Sequence, residues 1–71
     1  MTRDTLDLHG IKHEDVSRII TDACYSYDIP FIVITGHSAK MKHIVSKAAN
    51  AQGYLTRETI SNSGRLIIDE V

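Results

Sequence analysis

The sequence predicts a single α/β domain of βαβαββ order, a two-layer α+β sandwich in which a four-stranded mixed sheet carries two helices on one face. Three observations predict it. Two stretches repeat apolar residues at helical spacing, a short continuous apolar run separates them, and two strand-like segments joined by a turn cluster close the chain. The chain has 71 residues, 42% hydrophobic and 24% charged. That is one domain, 1–71, near the lower end of what folds alone, with enough apolar surface to offset chain entropy.

The first strand is expected near residues 4–9. Thr5-Leu6-Asp7-Leu8-His9 alternates polar and apolar, so Leu6 and Leu8 point one way and Thr5, Asp7 and His9 the other. Gly10 ends it with a turn. A helix near 13–27 follows, where Val16, Ile19, Ile20, Ala23, Cys24 and Tyr27 form an unbroken apolar stripe. Glu14 and Asp15 occupy its first turn, where the helix dipole favours acids. Asp28-Ile29-Pro30 stops it, because the residue before proline avoids the helical region.

Phe31-Ile32-Val33-Ile34-Thr35 is a continuous β-branched run of strand length and reads as a central strand over 31–35. Gly36-His37-Ser38 is the loop after it. The second helix, near 39–51, shows Met41, Ile44, Val45, Ala48 and Ala49 at helical spacing, with Ser38 as N-cap and Gly53 just past its end. Strands near 54–60 and 65–69, joined by Ser61-Asn62-Ser63-Gly64, read as an antiparallel hairpin. A right-handed βαβ unit makes the first two strands parallel. Their carboxyl ends, His9-Gly10 and Thr35-Gly36, then open at one edge of the sheet, the edge where open α/β sheets take ligands.

Composition narrows the function. The single cysteine, Cys24, excludes an internal disulfide and a thiolate zinc cluster, and its place in the apolar stripe reads as a core thiol. No stretch approaches the ~18 apolar residues of a membrane span, and Met1-Thr2-Arg3-Asp4 lacks the apolar run of a secretion signal. A cytoplasmic protein without membrane contact is expected. The net charge is −1, but its distribution is uneven. Residues 37–65 hold Lys40, Lys42, Lys47, Arg57 and Arg65 against Glu58 alone, a basic half able to attract phosphates locally.

Two short constellations could carry chemistry. Asp7 and His9, two apart on one strand face, would stand roughly 7 Å apart. A histidine exchanges a proton near neutral pH, and a neighbouring carboxylate orients it or holds its charge. The plain alternative is an Asp7 that caps a turn beside an exposed His9. Thr35-Gly36-His37-Ser38 leads into a helix, where free N–H groups favour an anion and glycine permits close approach. Lys40 and Lys42 add cationic charge in the first turn. His13 and His43 fall away from the apolar stripes and are expected in solvent. With no His-x-x-x-His pair on a helix, no metal site and no cofactor are expected.

Together these segments resemble the Smr (small MutS-related) domain family. The resemblance rests on Leu6-Asp7-Leu8-His9-Gly10, Ile34-Thr35-Gly36, Met41-Lys42-x-x-Val45 and Ser63-Gly64-Arg65-Leu66-Ile67-Ile68, and runs from Leu6 to Asp69. It implies a βαβαββ fold similar to the C-terminal domain of bacterial translation initiation factor three. It also implies nucleic-acid binding, often with endonuclease activity on RNA or DNA. Asp7 and His9 would be the catalytic pair, and Gly36, His37, Ser38, Lys40 and Lys42 the nucleic-acid contacts. Ser38 stands where the family's Thr-Gly-x-Gly usually has its second glycine; alternatively the loop is shortened, and His37-Ser38 match a His-Ser the family carries a few residues later. The expectation is a small endonuclease, RNA before DNA; the alternatives are a nucleic-acid or ribosome binding module that does not cleave and a protein–protein adaptor with no nucleic-acid role.

Overall fold

A computed structural model describes residues 5–58 and 64–70. In it the chain runs β1 (Thr5–Asp7), α1 (His13–Ser26), β2 (Phe31–Ile34), α2 (Ala39–Ala51), β3 (Tyr54–Glu58) and β4 (Arg65–Glu70). The strands form one mixed sheet in the order β1-β2-β4-β3, with β1 parallel to β2 and the other two pairings antiparallel. The predicted βαβαββ sandwich is therefore the observed fold. Residues 59–60 of the expected third strand, 61–63 of the turn cluster and residue 4 of the first strand lie outside the described residues.

Alternation sorts the two faces of the sheet. Phe31 and Val33 of β2 and Leu66 and Ile68 of β4 are buried beneath the helices, joined by Val16, Ile20, Ala23 and Cys24 of α1 and by Met41, Val45, Ala48 and Ala49 of α2. The register pairs Phe31 with Ile68 and Val33 with Leu66, so these four side chains share one face. Ile32, Ile34 and Ile67 are on the opposite face with Leu55, which is exposed. At the foot of α1, the Tyr27 ring meets Phe31 edge-on at 5.2 Å and 84°, a favoured aromatic arrangement.

The helices begin differently. At α2 the Ser38 hydroxyl accepts the Met41 N–H at 3.1 Å, the expected cap. At α1 the cap position is Lys12, whose side chain makes no cap bond and has no oxygen to offer. Element boundaries differ from expectation in small, explicable ways. Helix α1 stops at Ser26, where Tyr27 turns to extended backbone and donates its N–H to the Ala23 carbonyl at 2.8 Å. Strand β1 stops at Asp7 rather than His9. Leu8 still donates to the Ile34 carbonyl at 3.1 Å, but the His9 N–H turns to the Asp7 carboxylate and Gly10 takes φ of 77°. The chain leaves the sheet before the polar–apolar alternation in the sequence ends.

Candidate functional site

Because β1 and β2 are parallel, the segments that follow them leave the sheet side by side. Asp7, His9, Gly10, Thr35, Gly36 and Met41 all line one pocket of about 270 Å³ at that edge. The two segments singled out in the sequence, residues 6–10 and 35–38, are thus brought together by the parallel pairing of Asp7 with Ile34.

Inside the pocket Asp7 plays a local part. Its Oδ1 accepts the backbone N–H of His9 at 2.9 Å, the turn in which an Asp side chain satisfies the amide two residues on. This holds His9 at the rim, where it and Asp7 are exposed. The His9 side chain is exposed, lines the pocket and makes no hydrogen bond to another described residue. The expected relation, two side chains leaving one strand face, gives way to a carboxylate that positions the backbone beneath the imidazole. Gly10 and Gly36 take φ of 77° and 67°. A Cβ at either would meet nothing within 4 Å, so the left-handed backbone, not crowding, calls for glycine there.

The second segment is anchored by Gly64, which the sequence marks as part of a turn cluster and of the Ser63–Ile68 motif but not as part of the site. The Gly64 carbonyl, at the head of β4, accepts the Thr35 N–H at 2.9 Å and the Gly36 N–H at 3.0 Å. The buried Thr35 hydroxyl lies 3.3 Å from the same oxygen and 3.0 Å from the Gly36 carbonyl. This latch fixes the loop between β2 and α2. It also occupies the Gly36 amide, which is therefore not free to bind an anion. The free amides lie further on, at Ala39 and Lys40, which have no acceptor among the described residues. His37 and Ser38 are exposed immediately beyond the pocket lining.

Lys40 and Lys42 part company. Two residues along a helix is a turn of about 200°, and the side chains go to opposite flanks of α2. Lys40 is exposed and lines a shallow concavity with Lys12, His13 and Glu14. Lys42 turns toward β3, where its Nζ lies 3.3 Å from Glu58 Oε1 and its side chain is only 18% exposed. That flank holds a further hollow of about 400 Å³, bordered by His43, Ser46 and Thr56, in which the Ser46 and Thr56 hydroxyls are 2.8 Å apart. The five residues expected to contact nucleic acid therefore divide into Gly36, His37, Ser38 and Lys40 near the pocket edge and Lys42 on another surface.

The remaining candidates lie where their patterns suggest. His13 and His43 are exposed, and Tyr54 is half-buried against the core. Cys24 is a buried free thiol whose pKa is pushed above its ordinary 9.0 by desolvation. Among the described residues no three His, Cys, Asp or Glu side chains converge on a point, and no helix is long and apolar enough to cross a membrane. No family model matches this chain, and neither a curated protein nor a solved structure matches it.

Proposed function

We propose that this chain is a small cytoplasmic endonuclease of the Smr type, binding nucleic acid and cleaving RNA in preference to DNA. The observation that carries the reading is the shared pocket: Asp7, His9 and Gly10 face Thr35 and Gly36 across about 270 Å³ at the carboxyl edge of two parallel strands. An unpartnered imidazole, a nearby carboxylate and a glycine-lined rim leading to free helix amides are what acid–base attack on a phosphodiester needs.

On RNA the chemistry balances without an external nucleophile. The scissile phosphate rests against the start of α2, at the Ala39 and Lys40 amides. His9 takes the proton of the neighbouring ribose 2′-hydroxyl, whose oxygen bonds to phosphorus. The bond from phosphorus to the 5′-oxygen breaks, and a general acid returns a proton to that leaving oxygen; His37, exposed on the facing loop, is assigned that role. The products are a 2′,3′-cyclic phosphate and a 5′-hydroxyl. Asp7 acts through the backbone, holding the His9 turn.

The second reading is a module that binds nucleic acid or the ribosome without cleaving. Two bonds favour it: Asp7 Oδ1 engages the His9 backbone rather than its ring, and the Gly36 amide is bonded to Gly64. One experiment separates the two. The purified chain is incubated with end-labelled single-stranded RNA and DNA, with and without EDTA. Cleavage of RNA that persists in EDTA and leaves cyclic phosphate ends is the expected result. RNA that is retained but intact establishes the binding module, and failure to retain either nucleic acid removes both readings.

A further inference from the structure

The charges of the described residues are not evenly matched. Arg18 pairs with Asp15, Lys42 with Glu58 and Arg57 with Asp69, at 3.5, 3.3 and 3.1 Å. Lys12 and Lys40 have no carboxylate within pairing distance among the described residues, and these two cations, from different elements, line the same concavity of about 600 Å³. His13 lines it as well, and a single carboxylate, Glu14, shares it. Two like charges brought to one hollow repel each other, and a ligand of opposite sign would turn that repulsion into attraction.

The place of this hollow is as informative as its charge. Ile11 lines the Asp7–His9 pocket and Lys12 the cationic hollow; Met41 lines the pocket and Lys40 the hollow. Consecutive residues thus line the two concavities on both sides, Ile11 and Lys12 after β1 and Met41 and Lys40 at the start of α2, which sets the shallow cationic hollow beside the pocket. Two lysines against one carboxylate line the hollow, with His13 beside them, and that charge balance favours phosphate contact.

We infer that Lys12, His13 and Lys40 form a second phosphate subsite, which receives the phosphate next to the one held at the Asp7–His9 pocket of a single-stranded nucleic acid. The inference rests on the nucleic-acid reading above and extends it from one phosphodiester to a strand path. Lys12 and His13 are the new members; Lys40 belongs to the hollow rather than to the pocket proper. Recognition here is independent of base identity.

The test uses the intact chain and the Lys12→Gln/Lys40→Gln variant, with Lys12→Arg/Lys40→Arg as the charge-preserving control and thermal melting to show that each is folded. Amide shifts are followed by NMR during titration with inorganic tripolyphosphate and then with oligouridylates of increasing length. Tripolyphosphate is expected to move the amides of residues 12 and 13, an effect lost in the Gln variant and kept in the Arg variant. Oligouridylate affinity is expected to rise severalfold once the strand reaches the second phosphate. The Gln variant loses that step, and its salt slope falls by about 0.7 for each lysine removed. Oligouridylates that bind with shifts confined to the Asp7–His9 pocket, or bind the Gln variant with unchanged affinity and slope, overturn the subsite and leave the nucleic-acid reading intact. Tripolyphosphate bound at Lys12 and Lys40 with no oligonucleotide bound at all overturns that reading, and the strand path with it. No shift with either probe removes both.

Discussion

Asp7 concentrates the question of whether the pocket is chemical or architectural. Its carboxylate accepts the His9 amide at 2.9 Å, and an asparagine oxygen can accept the same bond, whereas alanine cannot. Asp7→Asn should keep the turn while removing the charge; Asp7→Ala should remove both, at a cost of roughly 1 kcal/mol for the lost bond. His9→Ala should lower RNA cleavage by about 10²–10⁴-fold, and adding Asp7→Asn to it should cost little more, because residues acting as a unit do not lose activity additively. In rate measurements on the singles, Asp7→Ala is expected to be worse than Asp7→Asn. Equal losses would assign the contribution of Asp7 to its charge and not to the turn. A His9→Ala protein that cleaves normally would dismiss the imidazole altogether.

Among the elements, α2 does the most to shape the site. Its first turn carries the free amides and Lys40, and its start is fixed by Ser38 capping Met41 at 3.1 Å. Ser38→Ala should cost about 1 kcal/mol, a fall of roughly 4–8 °C in melting temperature for a domain this small. An unchanged melting curve would mean that the latch from Thr35 and Gly36 to Gly64 holds the helix start unaided. The helices were legible because an apolar period of 3.6 survives over a dozen residues, and α2 begins and ends where that period does. Strand β1 was legible as a strand but not in its end: alternation continues through His9, while the turn chemistry of Asp7 and the positive φ of Gly10 take the chain out of the sheet. The pocket was legible too, since parallel strands must bring their carboxyl ends together. The Gly64 latch was not. It is a backbone carbonyl acting across 29 residues of sequence, and no side chain advertises it. Nor did grouping Lys40 with Lys42 respect the helix, which turns them to opposite flanks.

For the whole molecule, the small size means that a few central side chains carry the fold. Phe31 is fully buried in the middle of the sheet and holds Tyr27 edge-on. Phe31→Ala should cost roughly 3–5 kcal/mol, comparable with the whole stability of such a chain at about 0.05–0.15 kcal/mol per residue. Circular dichroism should then show little or no cooperative melting. Leu55→Ala, on the open face at 51% exposure, should stay within about 0.5 kcal/mol of the parent. A Phe31→Ala protein that melts sharply near the parent temperature would mean the core repacks around the gap.

Strand β1 is described over three residues, Thr5–Asp7, and lies at the edge of the sheet, paired among the described residues with β2 alone. Edge segments with few backbone partners are the first to open in a native ensemble, and here the first segment to open carries one wall of the pocket. The site is thus built partly on a stable centre, through β2 and the Gly64 latch, and partly on the most easily detached strand. Transient release of β1 would separate His9 from the facing loop while the core stays folded. A ligand bridging the two walls would suppress that release, and the same contact would slow solvent exchange at the amides of β1 and raise the melting temperature of the whole chain by mass action.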